Sequence, residues 1–285
     1  MTTTFSAAAA DAAASVAAGF GITGTEPVIL ADGANVIIHL SPSPVVAKVA
    51  ASTTAVRPDA AAWLARELDV AAFLAGEGAP VLAPSPEVPA AVHRAGGQVM
   101  SFWRYVKPAG TALPDEATIG TMLRDLHGVL RGYPGAVPVL VSLGDIPAFL
   151  ARPQTRLSDR GAAALALAFT RLTAELGAAG CAGQVLHGDA GAGNLMPTSA
   201  GWAWHDFEDV CSGPAAWDLA PSTASRRLDG ARVLAAYGGA VDAGQLAVCE
   251  QLRRLHLTVW YSLYAERLPE HRARAAELLA GWPAP

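Results

Sequence analysis

Residues 185–209 read V-L-H-G-D-A-G-A-G-N-L-M-P-T-S-A-G-W-A-W-H-D-F-E-D, and the rest of the chain is understood from this stretch. Two apolar runs, Val185-Leu186 and Trp202-Ala203-Trp204, flank a polar turn, a pattern that predicts two short strands with acids at their ends. Asp189, Asn194 and Asp206 stand at the corners of the turn. Asp and Asn are also good turn residues, because their short side chains bond to nearby backbone groups. Asp189 and Asn194 alone therefore fit an ordinary hairpin. The further acids Asp206, Glu208 and Asp209 are not explained that way. Between Asp189 and Asn194 lies A-G-A-G, whose glycines let the backbone turn tightly enough for both side chains to face one point.

Composition narrows the classes of function. The chain has 285 residues and is 52% hydrophobic, enough for one large domain or two modest ones. Charged residues make up 16%, with a formal net charge of -5, so no broad basic footprint exists and nucleic acid is not expected as a partner. Cys181, Cys211 and Cys249 are too scattered for a disulfide framework or a zinc site, which suits a reducing, cytoplasmic setting. The N-terminal M-T-T-T-F-S-A-A-A-A-D lacks the charged and apolar regions of a signal peptide. No uninterrupted apolar span of bilayer length is evident, so no membrane partner is expected.

Upstream, residues 6–18 are alanine-dominated and predict a helix, ended by Gly19 and Gly21. Residues 28–30 and 36–40 predict strands joined by A-D-G-A-N. That turn is either a plain hairpin connection or a glycine-bearing loop whose N–H groups lie over phosphates. Residues 45–50, V-V-A-K-V-A, predict a strand with one cation. Lys48 either snorkels from an edge strand or turns inward to meet an anion. A helix follows from Arg57-Pro58-Asp59 to about Leu74, with Trp63, Leu64, Leu68 and Ala71 on its buried face. Glu67 falls at the border of that face, as a partner for Lys48 or as a solvated acid. Strands are predicted at 81–83, 90–94 and 98–105, and the breaker-rich Lys107-Pro108-Ala109-Gly110 marks a domain boundary. The expected division is a lobe over 1–106, mostly strands with one internal helix, and a mostly helical lobe over 107–285. A cleft between two such halves is a natural ligand site.

Beyond the boundary, helices are predicted over 115–130 and 161–177, with a short helical piece at 146–150. His127 reads as a structural histidine on the first of these. Asp218, inside G-P-A-A-W-D-L-A, needs paired donors if buried, and neighbouring turn N–H groups can supply them. Residues 228–237, 241–268 and 270–279 are predicted helical. Trp260, Tyr261 and Tyr264 lie near Glu250 and Glu266 there, either as helix packing or as the lining of a substrate pocket.

An in-line attack on a phosphoryl group needs metal ions to neutralise charge and a carboxylate to orient the attacking hydroxyl. Asp189 suits the carboxylate role, and Asn194 and Asp206 offer the hard oxygen ligands that Mg²⁺ prefers. H-G-D-A-G-A-G-N at 187–194, H-D-F-E at 205–208 and G-P-A-A-W-D-L-A at 213–220 together resemble the signatures of the aminoglycoside phosphotransferase family, small-molecule kinases with a protein-kinase-like fold. The resemblance covers essentially the whole chain. It implies an α+β, bilobal fold with a small, mainly antiparallel β lobe and a larger helical lobe. By the same resemblance Asp189 corresponds to the catalytic base, and Asn194 and Asp206 to metal ligands. Lys48 corresponds to the lysine on the nucleotide's phosphates, with Glu67 as its helix partner. Gly33 and Asn35 correspond to the nucleotide-covering loop, and the stretch from Met100 to Val106, with Phe102 and Tyr105, to the adenine-side wall and hinge, which offers backbone hydrogen bonds. Asp206-Phe207-Glu208 lacks the glycine of the protein-kinase motif, which argues against a protein-kinase activation loop.

The expectation is thus an ATP- and Mg²⁺-dependent phosphotransferase that acts on a hydroxyl of a small polar metabolite: an amino sugar, an aminoglycoside-like compound or a sugar. A catalytically silent nucleotide-binding or scaffold protein of the same fold, or a kinase for an amino alcohol or amino acid, is the alternative. Glu208, Asp209, Asp218, Glu250, Trp260, Tyr264 and Glu266 are the candidates for acceptor binding, since acids attract an aminated substrate. A monomer or weak homodimer is expected.

Overall fold

The computed structural model describes residues 4–153, 157–180 and 183–282; Cys181 lies outside them. The strands are β1 (Glu26–Asp32), β2 (Asn35–Ser41), β3 (Val45–Ala50), β4 (His93–Ala95), β5 (Gln98–Arg104), β6 (Gln184–Leu186), β7 (Leu195–Thr198), β8 (Gly201–Trp204) and β9 (Cys211–Gly213). The main helices are α1 (Thr4–Ala18), α2 (Ala60–Gly76), α3 (Glu116–Leu130), α4 (Asp145–Leu150), α5 (Asp159–Ala179), α6 (Ala215–Thr223), α7 (Gly230–Tyr237), α8 (Ala243–Arg267) and α9 (Arg272–Ala280). The chain forms two compact units, Met1–Thr111 with Met196–Glu208, and Ala112–Leu195 with Asp209–Pro285. One unit is rich in strands and the other helical, the bilobal kinase-like architecture that the resemblance implies. Unlike a single cut near residue 106, this division returns 196–208 to the first unit.

In the first unit the sheet runs β1-β2-β3-β5-β4, antiparallel throughout. Side chains alternate across it. Val36, Ile38, Leu40, Val45, Ala47, Val49, Met100 and Phe102 pack on one face against Ala9, Ala12, Ala13 and Ala17 of α1. Those alanines let the helix lie close to the strands. Ala50, on the opposite face, meets Ala60 and Leu64 of α2, which Asp59 caps by accepting from the Ala62 N–H. β3 is central and buried at all six positions, so the edge-strand account of Lys48 does not hold.

Residues 185–186 and 202–204 form strands as expected, but the two do not pair with each other. β6 pairs with β9, and β8 with β7. Backbone bonds decide the second placement: Leu82 donates to the Trp204 carbonyl at 2.9 Å, Trp204 to Pro80 at 2.8 Å, and Ala109 to Pro197 at 2.8 Å. The strand expected at 81–83 contributes only an isolated bridge from Val81 to Trp204.

In the second unit Leu172 and Leu176 of α5, Trp217 and Ala220 of α6, and Cys249 and Leu252 of α8 form one core with Leu186 and Cys211. Each fully buried leucine contributes about 2 kcal/mol from its apolar surface. Asp115, Ser158, Asp229 and Asp242 cap α3, α5, α7 and α8. Gly120 lets α3 approach α7, since a Cβ there would stand 2.7 Å from the Ala236 Cβ. By length and composition alone, α5 is long and apolar enough to cross a bilayer, although Arg171 and Glu175 interrupt its apolar run. Arg171 and Glu175 pair on its exposed side, and its leucines pack against α8.

Candidate active site

In the first unit the polar residues gather on Lys48. Lys48 pairs with Ser101 across the ladder, so it lies on the sheet face opposite Met100 and Phe102. Its Nζ donates to both Glu67 oxygens at 2.9 Å and to Asp206 Oδ1 at 2.5 Å, and stands 3.1 Å from Glu208 Oε2. The lysine side chain is 6% exposed and that of Glu67 1%, so the solvated reading of Glu67 is excluded. Burial works against the ammonium charge, but Asp206, Glu67 and Glu208 outweigh it and hold its pKa well above the ordinary value. For Glu67 burial dominates over the pull of Lys48, and Asp206 and Glu208 add repulsion. Its pKa rises to about 8. Glu208 accepts from Asn35 Nδ2 at 2.6 Å and from Arg57 Nη1 at 2.8 Å, and Arg57 stacks on the Trp63 ring at 3.6 Å. Three carboxylates therefore face two cations.

Asp206 is the opening in this buried group. Its side chain is 42% exposed and its φ is +65°, a left-handed backbone that aspartate tolerates better than most residues at a cost of about 1 kcal/mol. That conformation delivers the carboxylate to Lys48 directly after β8.

The second unit holds the turn His187–Asn194. Gly188 has φ +86°, and a Cβ there would collide with the Asp209 carbonyl, so only glycine fits. Asp218, fully buried, accepts from the His187 N–H at 2.8 Å, the Gly188 N–H at 2.9 Å and His127 Nε2 at 2.9 Å. Burial alone would raise its pKa, but His127, His187 and the Gly188 N–H hold it below the usual carboxylate range. Tyr237 meets the other nitrogen of His127, which confirms that histidine as structural. The Gly188 carbonyl accepts from Trp217 Nε1 at 2.9 Å and Arg253 Nη1 at 3.1 Å. On this frame Asp189 presents a carboxylate whose side chain is 39% exposed. Arg253 Nη2 donates to one of its oxygens and Asn194 Nδ2, at 3.2 Å, to the other. Asn194 also donates to the Asp189 carbonyl at 2.7 Å.

Several expected positions need correction. Met100 and Phe102 turn their side chains into the α1-side core, away from the Lys48 face, which leaves only their backbone groups for the expected role. Tyr105 stacks on His39 with ring centroids 3.7 Å apart. Asn35 is committed through its side chain to Glu208 and Thr53, while Gly33 stays in the turn with open space around its Cα. Glu208 belongs to the Lys48 group and Asp218 to the turn's support. Trp260 is buried and donates to Asp145, Glu266 is bound bidentately by Arg152, and Tyr264 packs on Trp260, Tyr261 and His271. Asp209 is buried, its carbonyl against Gly188. Glu250 is half-buried on α8.

Arg57 and Arg253 were missed in the sequence. Neither lies in a motif, and arginines at a helix start or on an amphipathic helix read as solvated charges. A weak signal existed for Arg57 in the adjoining Trp63, since aromatic rings attract guanidinium.

Comparison with known proteins places this geometry. Residues 31–255 match the profile of a family described as "Phosphotransferase enzyme family". Among solved structures, a microcompartment-associated aminopropanol kinase superposes with a TM-score of 0.67 at 18% identity, covering 90% of each chain. A choline kinase from Streptococcus pneumoniae gives 0.61 at 15% identity over 92% of this chain and 96% of that one. An aminoglycoside-3'-phosphotransferase of type VIII gives 0.58 at 21% identity, over 82% and 94%. No curated protein sequence matches. With more than half of its length matched by the family profile and its bilobal fold shared with these kinases, the chain belongs to the phosphotransferase enzyme family.

Proposed function

We propose that the protein transfers the γ-phosphoryl group of ATP to a hydroxyl of a small polar metabolite, with sugars and amino sugars first among the acceptors. The observation that carries this reading is the convergence of Glu67 and Asp206 on Lys48 Nζ, since packing alone does not call for two carboxyl groups around one buried ammonium. The residues fit the cofactor. Glu67, Asp206 and Glu208 offer oxygens within 4.8 Å of one another, a donor set suited to a hard cation. Asn194 spends its amide N–H groups on Asp189, which leaves its amide oxygen for a metal.

Bound Mg·ATP would supply the phosphoryl group and neutralise the charge that develops on it. Lys48 is the residue for the nucleotide's phosphates, held in place by Glu67. Asp206 and Asn194 are the metal ligands. Asp189 is the base: its carboxylate accepts the proton of the acceptor hydroxyl and aims that oxygen. Lys48 already carries a full set of acidic partners, so phosphates must displace Asp206 or share the ammonium with it.

The acceptor is narrowed by the fate of the acids. Glu208, Asp218 and Glu266 are engaged elsewhere, which weakens the case for recognition of a polyamine and favours acceptors with few amino groups. The names of the similar structures suggest amino alcohols as a second class. ADP release from Mg·ATP, screened over monosaccharides, amino sugars, amino alcohols and aminoglycosides, tests the reading. Turnover with one class supports it. Mg²⁺-dependent ATP binding without turnover on the whole panel would favour the silent nucleotide-binding alternative.

A further inference from the structure

Arg253 is the one cation that touches the proposed base among the described residues, and no motif announces it. It sits on α8, 64 positions from Asp189, and its side chain is 12% exposed. Burial opposes its charge, but Asp189, Asp209 and Asp218 together more than restore it. The guanidinium packs over the Trp217 ring at 5.1 Å, and Trp217 itself donates to the Gly188 carbonyl. One arm of the guanidinium donates to that same carbonyl and the other to the Asp189 carboxylate. The planar fork therefore brackets a single stretch of chain, gripping the peptide that leads into Asp189 and the end of its side chain at once. This fixes the side-chain torsions of a residue that otherwise stands 39% exposed on a turn.

Asn194 is the other donor to the carboxylate. It is a neutral amide at 3.2 Å, so its hold on the carboxylate is weaker than that of a charged guanidinium. An ammonium cannot replace the fork, because its donors radiate from one point and cannot span carbonyl and carboxylate in fixed geometry.

We propose that Arg253 is a positioning residue for phosphoryl transfer, which holds the Asp189 carboxylate at the angle the acceptor hydroxyl requires. The proposal rests on Asp189 being the base. A displacement of about 1 Å in a catalytic group costs on the order of a hundredfold in rate, which sets the expected effect.

The test is ADP release from Mg·ATP with a pooled panel of monosaccharides, amino sugars and amino alcohols, and with water as acceptor. It compares wild type, Arg253→Gln, Arg253→Lys, Asp189→Asn and the double variant Asp189→Asn/Arg253→Gln, each with its melting temperature. Arg253→Gln should turn over about a hundredfold more slowly with KM for ATP within about threefold, and Arg253→Lys about tenfold more slowly. The double variant should be no slower than Asp189→Asn alone, because Arg253 acts through Asp189. Wild-type turnover in Arg253→Gln, or a double variant slowed by the product of the two single effects, overturns the proposal while leaving the base assignment intact. Wild-type turnover in Asp189→Asn removes the base assignment, and the proposal with it. Should Arg253→Gln fail to fold, Arg253→Lys carries the same comparison, alone and combined with Asp189→Asn.

Discussion

Around Lys48 nearly every charge is buried and answered by another, whereas Asp189 keeps 39% of its side chain in water and is steadied by two donors at its margins. The first group is organised by burial. Desolvation penalises each ion, so the charges of Lys48, Glu208 and Arg57 persist only because each has partners in hydrogen-bond range, and the same burial pushes the pKa of Glu67 up. The second is organised by backbone. Asp218, sealed beneath the turn, grips two successive N–H groups and so sets the direction in which Asp189 leaves the chain. A group that holds phosphates benefits from a fixed array of charge, while a base needs an open carboxylate in a fixed direction. On the proposed roles, the two regions would meet those needs by different means.

The sharpest way to break the contrast is at its exposed member. Asp189→Ala should lower transfer by about 10²–10⁴-fold with ATP affinity within about twofold, measured by coupled ADP release and nucleotide titration. Wild-type turnover in that variant would sink the base assignment. The turn's support is tested next. Asp218→Ala strands His127 and two buried N–H groups and should cost about 3–5 kcal/mol of stability in urea unfolding, against less than about 1 kcal/mol for an exposed acid.

The same residue gives the contrast a pH signature. Because the folded pKa of Asp218 is depressed, its contribution is complete above the ordinary aspartate range and is lost as the pH falls through the folded value. Wild-type stability should therefore decline more steeply than that of Asp218→Asn as the pH drops below about 4.

Within the Lys48 group, Asp206→Ala should weaken Mg·ATP binding by about tenfold or more, read as a shift of the Mg²⁺ titration of ADP release. An unchanged Mg²⁺ dependence would count against its ligand role. The smallest effect is expected at Glu67. Its raised pKa means that the folded state holds a proton the unfolded chain releases, so stability falls as the pH rises from the ordinary carboxyl range to about 8. Glu67→Gln should flatten that slope. An identical slope in both proteins would show that Glu67 is ionised throughout, and would make the Lys48 group more alike in charge to the open turn.

Much of the fold was legible because it rests on local chemistry. Alternation along β2, β3 and β5, helical spacing along α3 and α5, and the breakers after β5 mark the elements without reference to distant residues. The turn from His187 to Asn194 was legible for the same reason, since its glycines and its acid sit within eight positions. Pairing was not. The apolar runs at 185–186 and 202–204 resemble the arms of one hairpin, yet each finds another partner, because strand pairing depends on hydrogen-bonding edges that periodicity does not specify.

By itself, then, the sequence determined the elements, the chemistry of the 187–194 turn and the presence of an odd lysine in an apolar strand. Only the tertiary structure decided which acids are spent and which remain open. Glu208 meets Asn35 across 173 positions and Arg57 across 151, and Arg253 meets Asp189 across 64. An acid in a sequence looks the same whether it will bind a ligand or support a turn. What distinguishes the two is the desolvation and the donors around it, and those exist only once distant parts of the chain have packed.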